Sequence, residues 1–70
     1  MSPTLEHAIL RHAERYRALP PAGRAALRRQ YLLLLKEAAR GRVPEPVIRA
    51  ELRYQRGVMA GFREGRQTEC

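Results

Sequence analysis

Seventy residues suffice for one small domain, and a core of that size supplies only about 3–5 kcal/mol of net stability unless a disulfide, a metal or a partner subunit adds to it. The single cysteine, Cys70, excludes an internal disulfide and fits a reducing, cytoplasmic setting; no metal-ligand spacing occurs, which leaves oligomerisation as the expected reinforcement. The net charge of +7 (pI near 11.1) rests on fourteen cations, all arginine except Lys36, and implies an acidic partner, whether nucleic acid, an anionic membrane or an acidic protein face.

Ser2 and Pro3 read as a helix start, a side-chain cap followed by a residue suited to the first helical position. Leu5, Ile9, His12, Tyr16 and Leu19 then recur at helical spacing and predict one buried face on a helix over about 3–19. Pro20 and Pro21 end it, and Pro21 can open the next helix, so the two are expected to fold back antiparallel. The second helix, about 21–40, carries Leu27, Tyr31, Leu34 and Ala38 as its main stripe. Leu32, Leu33 and Leu35 widen its apolar arc, which predicts a central helix whose excess leucines mark self-association. The apolar run 31–35 is too short for a membrane span.

Gly41 stands where a left-handed cap would close the second helix, and Pro44 and Pro46 frame the third, about 46–64. Ile48, Leu52, Met59 and Phe62 form its apolar row, with Gln55 in the same line. Gly65 is expected to end it, giving one helical domain over 1–65 and a disordered polar tail over 66–70. No strand-like alternation survives four residues. The expected fold is all-α, a small three-helix bundle or an interlocked helical dimer.

The clearest functional signal lies on the third helix, where Arg49, Arg53, Arg56 and Arg63 share one arc free of carboxylates. Like charges one turn apart each cost a few tenths of a kcal/mol, so local stability would favour a glutamate among them, and such a departure from a local rule points to function. Arg29, Lys36 and Arg40 make a second basic stripe on the second helix. These residues are the expected contacts to phosphates or to an acidic protein face; the bland alternative is a solvated basic surface. Base reading has little support. Asparagine and aspartate are absent, the turn at 41–45 is longer than that of a helix-turn-helix, and Gln30, Gln55 and Gln67 are the amides at hand. Tyr16, Tyr31, Tyr54 and Phe62 are expected in the core or an interface and not as a platform for stacked bases.

Gly57, Gly61 and Gly65 lie on one ridge of the third helix, either a close contact for self-association or the start of fraying. His12 is expected to be buried with a hydrogen-bond partner, and Glu51 or Gln55 can satisfy such a group. Catalysis is not expected, because no nucleophile has a base placed near it in the pattern. The reading is therefore a non-enzymatic, cytoplasmic binding protein without metal, cofactor or small-molecule substrate. It is expected to form a homodimer and bind duplex DNA as a regulator. The alternative is a stoichiometric adaptor or inhibitor that docks on a larger protein.

Overall fold

The computed structural model describes the backbone of residues 3–69 and the side chains of residues 3–62. Three helices follow one another: α1 (Pro3–Arg17), α2 (Pro21–Arg40) and α3 (Glu45–Glu69), with no strand among the described residues. The punctuation acts where the sequence places it. Pro3 opens α1, while the Ser2 cap lies outside the described residues. Pro20 is extended (φ −62°, ψ 159°) ahead of Pro21 at the start of α2. Gly41 takes the left-handed conformation (φ 68°, ψ 15°), and its N–H reaches the carbonyls of Ala38 and Glu37, both at 3.3 Å.

The α1–α2 connection is also held by a side chain. Arg24 Nη1 donates to Leu19 O at 2.7 Å and to Arg17 O at 3.4 Å, satisfying carbonyls left open at the end of α1. Tyr16 Oη donates to Arg24 O at 3.0 Å.

Two apolar clusters form the core. Leu5, Leu34, Ala38 and Ile48 pack at one end with Ile9, Val43 and Leu52; Leu19, Leu27 and Met59 pack at the other with Tyr16, Val58 and Phe62. Between them lies a polar layer. His12 and Gln55 are 2 % and 0 % exposed, and Tyr31 places its ring 5.8 Å from that of His12 and stacks at 3.9 Å on Tyr16. The core rows alternate steps of four and three residues: 5, 9, 12, 16 and 19 on α1; 27, 31, 34 and 38 on α2; 48, 52, 55, 59 and 62 on α3. That spacing suits side-by-side helices. Leu5 and Ile48 meet at the same offset of 43 residues as His12 and Gln55, so α1 and α3 run parallel, with α2 antiparallel to both.

Three expectations need correction. The central helix is α3, which packs on both neighbours more extensively than they pack on each other. Leu27, Tyr31, Leu34 and Ala38 already fill the inward face of α2, and Leu32 and Leu33 are left outside at 50 % and 55 % exposure. Gly65 does not end α3, which continues to Glu69, since glycine weakens a helix without breaking its hydrogen-bond ladder as proline would. Of the two places expected for Tyr54, core or interface, the core is excluded: it is 64 % exposed, one step off the row that Gln55 occupies.

Candidate functional site

Parallel packing of α1 on α3 decides which polar residues come together. Residues just before the core row of α1 (Thr4, Ala8, Arg11, Arg15) and just after that of α3 (Arg49, Arg53, Arg56) fall on the same side of the contact. They line one open groove of about 340 Å³, with His7 on its wall and His12 at its base. The space is near the lower limit for a small-molecule pocket, and its cationic lining suits an anion more than an apolar ligand.

In parallel helix pairs these flanking positions ordinarily carry opposite charges that bridge the helices. Here arginine faces arginine. Within the described residues the ion pair is Arg49 with Glu45, Nε to Oε2 at 2.9 Å, with both side chains 39 % exposed. Arg49 Nη2 also donates to Thr4 Oγ1 at 3.4 Å. The expectation of a carboxylate-free stripe is thus corrected at Arg49: Glu45, one turn earlier in the first turn of α3, reaches it. Arg11, Arg15, Arg53 and Arg56 form no ion pair among the described residues.

The base of the groove is a hydrogen-bonded relay. Gln55 Nε2 donates to Glu51 Oε2 at 2.8 Å, and a carboxylate can only accept, which fixes the amide with Oε1 toward His12. His12 Nε2 therefore donates to Gln55 Oε1 at 2.8 Å. Burial lowers the pKa of His12 below its ordinary value of 6.5; the Gln55 hydrogen bond opposes this, Arg15 and Arg56 add to it, and Glu51 opposes it. The imidazole is neutral at neutral pH. No buried side-chain nitrogen or oxygen of the described residues lacks a hydrogen bond.

The remaining candidates fall elsewhere. Arg63 lies outside the residues whose side chains are described. Arg29, Lys36 and Arg40 are exposed on the outer face of α2, across the bundle from the groove, so the two basic stripes do not form one surface. Arg29 and Lys36 instead flank Leu32 and Leu33, together with Arg28 and Ala25. Leu35 is half-buried and about 200° round the helix from Leu33, so it shares no face with it. Gly57 and Gly61 stand inside a continuous helix with nothing within 4 Å of an added Cβ, so they neither fray α3 nor admit a neighbour of the same chain. The glycine that does is Gly23, where an added Cβ would lie 3.3 Å from Phe62 Cγ. Gln55 is enclosed by its relay and is withdrawn from any base-reading role.

Arg11 and Arg15 were missed in the sequence. Their signal is spacing relative to the core row, readable only once α1 and α3 are known to be parallel. Among the described residues no group of three or more metal-ligating side chains gathers, and no helix is long and apolar enough to cross a membrane. Comparison with family models, curated proteins and solved structures finds no match to the chain.

Proposed function

We propose that this protein is a non-enzymatic nucleic-acid-binding protein that holds the phosphate backbone of duplex DNA along the α1–α3 groove, and that it works as a homodimer. The observation that carries this reading is the set of five arginines from two parallel helices on one groove, four of them without an ion pair among the described residues. Each guanidinium presents a planar fork that matches phosphate oxygens. A bound polyanion removes the repulsion that arginine facing arginine creates. The contacts are to backbone and not to bases, in keeping with the absence of asparagine and aspartate and the enclosure of Gln55.

The test is a salt titration of duplex binding. Neutralising four phosphates gives a log–log slope of about −3.6 per protomer, and about −4.5 if Arg49 leaves Glu45 to join them. Arg15→Ala, Arg53→Ala and Arg56→Ala should each make the slope less negative by about 0.9 and weaken all sequences alike. Arg40→Ala on α2 should leave the slope unchanged. Undetectable duplex binding near ~100 mM salt, or equal effects from groove and α2 substitutions, would refute the reading.

A second reading, stoichiometric docking on a larger protein, draws on a different face. Val47, Ala50, Tyr54, Gly57 and Gly61 make an uncharged exposed strip along α3 in a chain that is otherwise rich in charge. It leads if the groove substitutions leave nucleic-acid binding unaltered.

A further inference from the structure

The outer face of α2 carries an arrangement that the groove does not explain. Leu33 is 55 % exposed and divides two flanks of unlike charge. On one side lie Arg28, Arg29 and Lys36; on the other, Gln30 and Glu37 border the crevice between α2 and α3 with Val47. Arg29 and Glu37 stand four residues before and four residues after Leu33, one turn away on the same face. Neither has an ion-pair partner in its own chain among the described residues.

We propose that this face is a homodimer interface in which the α2 helices of two copies cross antiparallel about a two-fold axis at Leu33. A two-fold axis there sets each residue against the one equally far on the other side of Leu33 in the second copy. Leu33 then packs on Leu33, and Arg29 of each copy faces Glu37 of the other, so one self-complementary patch forms two cross-chain ion pairs. Lys36 faces Gln30, and Arg40 lies over Ala26, so no like charges oppose one another. A parallel pairing would set Arg29 on Arg29 and Lys36 on Lys36, which a chain of net charge +7 tolerates poorly. A uniformly acidic partner fits less well than a second copy, because it would meet Glu37 with like charge. The contact is one helix face a side, well short of the roughly 20–30 residues a side of a standard interface, so the dimer is weak and concentration-dependent.

This pairing makes a demand that no other occupant makes, and sedimentation equilibrium at about 10–500 μM protein, a range suited to a weak interface, tests it in the absence of nucleic acid. Arg29→Glu and Glu37→Arg should each raise the dimer Kd about tenfold, because symmetry doubles each loss and sets like charges face to face. The double variant Arg29→Glu/Glu37→Arg should recover association to within about threefold of the unchanged chain. An equimolar mixture of the two single variants should associate more tightly than either does alone, since their faces are now complementary. Arg29 is exposed and Glu37 half-buried at the edge of the α2–α3 crevice, and both stay in the helix, so helical circular dichroism should be unaltered. A chain that stays monomeric throughout the range, single variants as tightly paired as the unchanged protein, or a mixture that does not associate would each overturn the proposal. The groove arginines are untouched in every variant, so the result does not depend on what the groove binds, and duplex binding is scored separately.

Discussion

Removing the relay at the base of the groove should have an effect whose sign depends on how many of its members are removed. His12 and Gln55 are both enclosed, and each is the other's partner across α1 and α3. Gln55→Leu leaves a buried imidazole N–H without an acceptor, and His12→Leu leaves the amide oxygen without a donor. Each should cost about 1–3 kcal/mol, the desolvation penalty of one orphaned group, against a total stability of about 3–5 kcal/mol for a core this small. The double variant His12→Leu/Gln55→Leu joins the two apolar clusters and should be more stable than either single variant. The same layer carries a pH signature. With its pKa lowered in the fold, His12 binds fewer protons folded than unfolded, so its contribution is complete above the unfolded value of about 6.5 and is lost as pH falls through the folded value. Stability should decline on acidification below about 6.5, with a limiting slope of about 1.4 kcal/mol per pH unit, before most carboxylates titrate. The groups facing the ring are Arg15 from its own helix, Arg56, Glu51 and Gln55 from α3, and the Tyr31 ring from α2. Urea denaturation followed by far-UV circular dichroism, at a series of pH values, measures all of this. Additive single effects in the double-variant cycle, or an acid limb that persists unchanged in the double variant, would refute the reasoning.

Other substitutions test the local backbone and its caps. Gly57→Ala and Gly61→Ala should each stabilise the monomer by up to about 1 kcal/mol in thermal melts, because the space is open and glycine is the poorer helix former. Gly41→Ala should destabilise by about 1 kcal/mol or more, since its positive φ strains any residue with a Cβ. Arg24→Ala should lower the melting temperature more than Arg28→Ala on the same helix, because Arg24 caps the Leu19 and Arg17 carbonyls whereas Arg28 is exposed; equal effects would exclude that capping role.

Fold class was legible in the sequence because each of its signals is local. Proline and glycine punctuate the chain at Pro21, Gly41 and Pro44, and the four-three spacing of apolar residues marks each inward face, down to His12 and Gln55 sharing the core rows with leucines. What was not legible depends on how helices meet. Arg11 and Arg15 carry no signal of their own until the offset of 43 residues brings them opposite Arg53 and Arg56. Composition alone suggested that a helix with five consecutive large apolar residues must be central, yet only one inward arc can be covered by two neighbours, and Leu32 and Leu33 remain outside. Glu45 escaped notice beside Arg49 because it was assigned to the turn, and an i to i+4 pair needs both residues on the helix. Gly23 gave no periodic signal, although Phe62 approaches it closely enough that an added Cβ would sit tightly against the ring.

The two proposed surfaces constrain each other through the geometry of the bundle. A groove between α1 and α3 opens on the side away from α2, so an interface on the outer face of α2 leaves it unobstructed. As proposed, a groove that offers arginines but neither asparagine nor aspartate, with Gln55 enclosed in its base, would hold the phosphate backbone and leave the bases unread. On this argument the helix-three arginines and the helix-two leucines are separate devices on opposite sides of one small core, and substitutions in one should leave the affinity of the other unchanged.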